Sequence, residues 1–309
     1  MILRGAYRHL VPWFSLCCLL LSGAARAEVT VTDAHGEHTF EQIPERVVTI
    51  SWAMTENVIE LGVTPVGVAD IEGYNEWVVR PAVPDGVDDI GKRGEPSIEE
   101  LAALKPDVII ISNGQEGLID KLEQVAPVLY FNAFGAEQDN ARAARRIFRE
   151  TAKLFGQEER AQRKLDAMDA RFDELRQQLH DHFGEALPPV TGVRFNNQSV
   201  VFIYGANALS QYALNHLGIE PAMDIPPSQW GIAQKKLTSL SQMSKDSVLL
   251  YFKPAPGVER LFESPLWQAM PVARAGHVAG VESTWSYGGA MSIRYLAEAM
   301  TDALLTIEP

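Results

Sequence analysis

The sequence predicts an α/β protein of two Rossmann-like lobes, each built on a mainly parallel sheet, joined by one long backbone helix. Three observations predict it. Short β-branched apolar runs alternate with helical stretches along most of the chain, as expected of strands covered by helices on both faces. The order of these runs repeats. Leu61-Gly62-Val63-Thr64-Pro65 ends one strand–helix unit and Leu217-Gly218-Ile219-Glu220-Pro221 ends another. Likewise Ser97-Ile98 leading to Val108-Ile109-Ile110 is echoed by Ser239-Leu240 leading to Val248-Leu249-Leu250. Between the halves, residues 157–183 contain neither Gly nor Pro, and Leu165, Met168, Phe172, Leu175 and Leu179 step by three or four along one helix face.

Residues 1–27 read as a secretory signal. Arg4 and Arg8 precede an apolar stretch of 10–21, and Ala25-Arg26-Ala27 offers a small-x-small cleavage site. The apolar run is shorter than the ~20 residues that span a bilayer. Cys17 and Cys18 lie inside this segment, and Phe14-Ser15-Leu16 before them is not the small-residue context of a lipid anchor. The exported chain is therefore expected to be periplasmic, to lack disulfides and to lack thiolate chemistry. Removing Arg4, Arg8 and Arg26, with no acid among 1–27, takes the net charge from −13 to −16. Such a surface repels nucleic acid and anionic membranes, so capture of an anion must fall to locally placed arginines.

The mature chain divides into a first lobe (28–156), the interlobe helix (157–183) and a second lobe (184–309). It opens with an expected hairpin, 29–32 against 38–40 across Asp33-Ala34-His35-Gly36. A strand at 47–51 leads to a helix at 54–61, stopped by Gly62, and then to a strand at 65–69. Residues 71–89 read as a long loop. Ser97 and Glu100 have the spacing of a capping box at the start of a helix ending near Pro106. Strands at 108–112 and 128–131 complete the first half, and a strand at 200–204 with its helix opens the repeat. A continuous helix between the lobes resists bending, which predicts little opening and closing.

Catalytic signatures are missing: there is no G-x-S-x-G elbow, P-loop, G-x-G-x-x-G or H-E-x-x-H. His35 and His38 share a hairpin turn, His180 and His182 sit at a helix end, and no spacing suggests three or four metal ligands. No resident metal or cofactor is expected. Aromatic residues instead occupy loops that adjoin strands. Trp52 follows the first strand, Trp77 lies beside Tyr74, Trp230 sits in Pro226-Pro227-Ser228-Gln229-Trp230-Gly231, and Trp285 and Tyr287 precede the last helix. Ligands of α/β sheets bind beyond the carboxyl ends of strands, where large aromatics need something to meet. Trp267, in an amphipathic turn, reads as core. Arg93, in the Gly-rich loop 89–96, and Arg194 present guanidinium forks suited to carboxylate or hydroxamate oxygens. Glu95 is an alternative, structural partner for Arg93.

These residues resemble the class III periplasmic substrate-binding proteins and, within them, the ferric hydroxamate siderophore binders. The resemblance spans the mature chain. Its landmarks are Arg46-Val47-Val48-Thr49-Ile50-Ser51-Trp52, Tyr74-Asn75-Glu76-Trp77, Asp89-Ile90-Gly91-Lys92-Arg93, Ser264-Pro265-Leu266-Trp267 and Trp285-Ser286-Tyr287-Gly288. It implies that Arg93 contacts iron-bound hydroxamate oxygens and that Trp77, Trp230, Trp285 and Tyr287 line a shallow cleft with Trp52 at its floor. The iron would be held by the siderophore. It also implies delivery by a monomer to an inner-membrane ABC permease, docked through a carboxylate of each lobe, with Glu56 in the first lobe. The chain departs from that pattern where Gln115 replaces a tyrosine beside the ligand and where Tyr212 replaces the second docking carboxylate. Arg194 is additional, and with Arg93 it suits a citrate-based hydroxamate. Heme or cobalamin is the alternative cargo; heme would call for an axial ligand, for which Tyr74, Tyr204 and Tyr287 are available. A siderophore hydrolase is a third reading, without a recognisable nucleophile–base spacing to support it.

Overall fold

Strand pairing separates the protein into two five-stranded sheets and two small hairpins. The structure, a computed structural model, describes residues 28–309, and the expected export signal at 1–27 lies outside the described residues. The hairpin of β1 (Val29–Thr32) and β2 (Glu37–Phe40) is antiparallel, with Val29 opposite Phe40. Asp33 shapes its turn by accepting from the His35 and Gly36 amides (2.7 and 3.1 Å), and also accepts from Tyr130 N (2.8 Å). The hairpin is thereby tied to the first sheet.

That sheet takes β3 (Val47–Thr49), β4 (Gly67–Val68), β5 (Asp88–Asp89), β8 (Val108–Ser112) and β9 (Val128–Phe131) in the order β5-β4-β3-β8-β9, every pair parallel. Alternation explains why its strands read as continuous apolar runs. Val48, Ile109 and Ile111 enter one apolar cluster, whereas Val47, Val108 and Ile110 enter another. Helix α1 (Trp52–Glu60) follows β3 and ends at Gly62, whose φ of 80° is left-handed. Residues 71–89 are not all loop. They contain α2 (Ile71–Trp77), which the sequence conceals behind Gly73 and Asn75, both weak helix formers. Tertiary packing overrides that weakness: Tyr74 is fully buried, and a Cβ at Gly73 would run into the Trp52 ring.

A two-residue hairpin of β6 (Gly91–Lys92) and β7 (Glu95–Pro96) precedes α3 (Ile98–Ala103) and places Arg93 at its tip. Only half of the expected capping box forms. Ser97 Oγ accepts from Glu100 N (3.3 Å), but Ser97 N donates to Ile90 O (2.8 Å), so the strand end takes the donor that Glu100 was expected to satisfy. Helices α4 (Ile119–Leu122) and α5 (Asn140–Leu154) complete this half.

The second half contains β10 (Val190–Phe195), β11 (Val200–Tyr204), α7 (Leu209–His216), β12 (Ile232–Lys236), β13 (Val248–Phe252), α8 (Val258–Phe262), α9 (Pro265–Gln268), α10 (Pro271–Ala275) and β14 (Val278–Val281). Its sheet order is β12-β11-β10-β13-β14, with β10, β13 and β14 parallel and β11 antiparallel to both neighbours. The internal duplication is present, although the strand at 200–204 is not the repeat of β3. β10 holds the central position, and α7 leads back to Pro221, which makes a parallel bridge to Val190 as β4 does to β3. β11 is an added antiparallel strand. Trp267 is buried beneath α9, as its pattern predicts.

Helix α6 (Glu158–Phe183) lies between the sheets and is about 39 Å long at ~1.5 Å per residue. Its buried face is the predicted one, Leu165, Met168, Phe172, Leu175 and Leu179, with Ala161 added. It is not a free-standing brace. These residues join one apolar cluster with Val47 and Phe148 on the first side and with Val190 and Leu250 on the second. The C-terminal helix α11 (Ala290–Leu304) returns from the second sheet to pack against α1, α5, α6 and α7.

The crossing of α1 and α11 corrects one expectation. Glu56 does not offer a carboxylate to a docking permease, because it is fully buried. Its oxygens accept from Gly289 N (3.0 Å), Ser292 N (2.7 Å) and Ser292 Oγ (2.5 Å), while Asn57 Oδ1 accepts from Ala290 N (3.2 Å). Glu56 and Asn57 of the first half thus cap the free amides of α11 in the second. Gly288 and Gly289 permit the approach, since a Cβ at either would collide with Ser292, Glu56 or Asn57. One turn further along, Glu60 holds Lys164 Nζ (2.5 Å) of α6 and the Tyr295 hydroxyl of α11.

Burial is the largest influence on the Glu56 carboxyl, raising its pKa to about 7 against the lowering effect of its Ser292 and Gly289 hydrogen bonds. A raised acid pKa favours the folded state most below the unfolded value of about 4.5, and the advantage is lost as pH climbs through 7. Glu56→Ala should cost about 2–4 kcal/mol in chemical denaturation. Its deficit relative to wild type should be largest near pH 4.5 and should narrow toward pH 8. An unchanged denaturation midpoint across that range would remove Glu56 from the lobe interface.

Candidate functional site

A cleft of about 440 Å³ opens where loops of both halves meet. The first sheet supplies groups from its carboxyl edge: Ser51 and Trp52 beyond β3, Asn113, Gly114 and Gln115 beyond β8, and Phe134 beyond β9, joined by Arg93 from the hairpin tip. The second half contributes Trp285 and Tyr287 from the loop between β14 and α11, and Trp230 from the loop before β12.

The rings form a continuous array across the lobe boundary. Trp52 and Trp285 meet edge to face at 5.1 Å between centroids, Trp285 meets Tyr287 at 5.4 Å, and Tyr287 meets Trp230 at 6.3 Å. Trp77 meets Trp285 at 6.3 Å, and Tyr74 supports Trp52 from below at the same separation. Trp52 is almost completely buried, which makes it a floor, whereas Trp230 is 41% exposed and stands at the rim. Trp77 does not line the 440 Å³ space itself and forms its flank behind Trp285.

Arg93 lies over the Trp52 face, with Cζ 3.5 Å from the ring centroid and 5.8 Å from that of Trp285. Its Nε is buried without a hydrogen-bond partner, and among the described residues no carboxylate lies within ion-pair distance of it, Glu95 included. Burial draws the guanidinium pKa downward, opposed by the more distant Asp70 charge. Asp70 is itself bound to Lys92 Nζ at 2.5 Å. Arg194, from β10, repeats the arrangement outside the lining of the cleft: its Cζ is 4.9 Å from the Trp77 centroid, and its Nε is also buried and unpartnered. Burial pushes the Tyr287 hydroxyl upward, with Tyr204 adding to the effect and Arg194 opposing it, so Tyr287 is a proton-bearing donor at neutral pH.

Gln115 is buried at the cleft wall, with Oε1 accepting a long hydrogen bond from Ser112 N (3.4 Å). The sequence reading missed Phe134 and Asn113. Phe134 touches both Trp230 (5.7 Å) and Tyr287 (5.9 Å). Asn113 Oδ1 accepts from Ala133 N and Phe134 N (2.7 and 2.9 Å) and fixes that loop. From the opposite half, Gln229 donates to Phe134 O (3.0 Å) and Asn207 to Gly135 O (2.9 Å). The signal for Phe134 was available, since it exits a strand as Trp52 does. Among the described residues, no group of three or more His, Cys, Asp or Glu is placed to hold a metal ion, and no helix is long and apolar enough to cross a membrane.

The family model described as periplasmic binding protein matches residues 47–284. The chain belongs to the periplasmic binding protein family. The Fe3+–Desferal-bound siderophore-binding protein FhuD from Vibrio cholerae is 46% identical, with a TM-score of 0.84 over 86% of this chain and 99% of that one. The iron(3+)-hydroxamate-binding protein FhuD of Escherichia coli strain K12 is 29% identical over 263 residues, 84% of this chain and 87% of that protein. The Fe(3+) dicitrate-binding periplasmic protein FecB of the same strain is 27% identical over 289 residues, 88% of each. The family places the two-lobed fold, with its long interlobe helix, in the class III architecture.

A guanidinium without a carboxylate partner contributes little to folding stability. Arg93→Met forfeits the stacking on Trp52 but relieves an unpartnered buried donor, terms of opposite sign and about 1–2 kcal/mol each. Thermal unfolding of the ligand-free protein should therefore change by no more than about 1 kcal/mol. A loss of several kcal/mol would identify Arg93 as a structural residue.

Proposed function

We propose that this periplasmic binding protein captures an iron(III)–siderophore complex of the hydroxamate or citrate-hydroxamate type and hands it to an inner-membrane ABC permease. The observation that carries the reading is Arg93: a guanidinium stacked on Trp52 at the bottom of an aromatic cleft, without a carboxylate partner. Its free donors match oxygens on the surface of an anionic chelate, and the indoles and Tyr287 supply contact for its apolar arms. The ligand keeps its iron, and the role is capture without chemical conversion. The relatives named for hydroxamate and dicitrate complexes of iron support the cargo class, and the periplasmic name of the dicitrate-binding relative supports export through residues 1–27. Release to a permease requires surface groups other than the buried Glu56.

Heme cargo fits the tyrosines poorly. Tyr74 is fully buried, with its hydroxyl pushed far upward by burial first and by Glu56 and Glu60 next, and Tyr204 shares its hydroxyl hydrogen bond with Ser286 Oγ (2.7 Å). Tyr287 lines the cleft, but its ring is packed against Phe134, Trp230 and Trp285.

Titration with ferric hydroxamates should quench the cleft tryptophans with a Kd of about 1 μM or tighter. Arg93→Ala should weaken that binding by about 2–4 kcal/mol, roughly 30- to 1,000-fold. Wild-type affinity in Arg93→Ala across hydroxamate, citrate-type and catecholate iron complexes would contradict the site. A Soret shift with hemin, together with no response to any siderophore, would contradict the cargo.

A further inference from the structure

We infer that Arg194, stacked on Trp77, is a second anion-binding group of this cleft and selects ferric chelates that carry a free carboxylate. The inference rests on the siderophore reading above and narrows it to one class.

Three observations converge on Arg194. The first is its place: Arg194 comes from β10 in the second half and Trp77 from α2 in the first, so the 4.9 Å cation–π contact crosses the lobe boundary as the cleft does. Trp77 joins Trp285, and Trp285 lines the cleft beside Arg93. The second is its lack of a partner. In a chain of net charge −13, carboxylates are plentiful, and the partly buried Arg145 and Arg171 are paired with Asp169 and Glu298. Among the described residues Arg194 has no such partner, and its buried Nε makes no hydrogen bond. The third is that Arg93 shares this condition, which leaves two uncompensated guanidiniums on one aromatic array.

The chemistry of the cargo distinguishes them. In a ferric trihydroxamate, three hydroxamate anions balance the metal charge, and one arginine beside the iron-bound oxygens suffices. In a citrate-based dihydroxamate, the iron is also bound by the citrate unit, and carboxylate groups away from the metal leave the complex anionic. Arg194 stands one indole beyond the residues that line the central space, so it meets an arm of the chelate rather than oxygens on iron. A carboxylate there receives a paired donor fork and partners a half-buried guanidinium, interactions that a neutral chelate cannot supply. Arg194 also acts on Tyr287, lowering its hydroxyl pKa against burial, which places its charge within reach of the cleft wall.

The test is a fluorescence titration of wild type, Arg194→Gln and Arg194→Lys with two iron(III) complexes, a neutral cyclic trihydroxamate and a citrate-based dihydroxamate. Wild type should favour the carboxylate-bearing complex, and Arg194→Gln should weaken it by about 10- to 100-fold while changing the trihydroxamate by less than about 3-fold. Arg194→Lys, which keeps the charge but not the fork, should fall between them. Equal weakening of both complexes would make Arg194 a support for Trp77, and no weakening of either would place it outside the site; each overturns the inference and leaves the cargo reading standing. Failure of wild type to bind either complex would overturn both.

Discussion

The buried carboxylate of Glu56 on the first turn of α11 is the contact on which the two-lobed arrangement depends. Free amides at a helix start need acceptors, and here the acceptors come from the other half of the molecule. The geometry demands two consecutive glycines, because any side chain at 288 or 289 would occupy the space of Glu56, Asn57 or Ser292. With α11 fixed on α1, its apolar face closes over α6 and α7, and core residues from both halves join in one shared cluster. The loop that carries Trp285 and Tyr287 ends at this same helix start. A structural tether therefore also sets the height of the cleft wall.

Preorganisation of that kind suits capture. The rings pack edge to face, and Gln229 and Asn207 bind the Phe134 loop from across the gap. Little conformational entropy remains to be lost when a ligand arrives. No Asp or Glu lines the cleft among the described residues. An acidic protein that leaves two arginines on aromatic faces without carboxylates keeps both free for the anionic chelate proposed above.

Much of this was legible in the sequence because it rests on local patterns. Fully buried parallel strands read as apolar runs, α6 announced its buried face at three- and four-residue steps, and Trp52, Trp230, Trp285 and Tyr287 stood out as aromatics in loops beside strands. The errors share a cause, which is contact between residues far apart in the chain. Glu56 looked like a surface carboxylate at a helix start, and only the partner 233 residues away reveals it as a cap. Helix α2 exists because Trp52 and a buried Tyr74 hold a segment of poor propensity in place. β11 is antiparallel for reasons of sheet topology that no local run of residues records, which is why the second sheet is more mixed than its repeat suggests.

If the Glu56 cap and the shared apolar cluster hold the lobes as one body, their separation does not depend on the ligand. Spin labels at Glu123→Cys in the first lobe and Lys245→Cys in the second, both exposed positions, report the separation by pulsed electron resonance. The account predicts a single narrow distance that moves by less than about 2 Å when a ferric siderophore binds. Two resolved populations, or a shift of more than about 5 Å on loading, would show hinged lobes and contradict it.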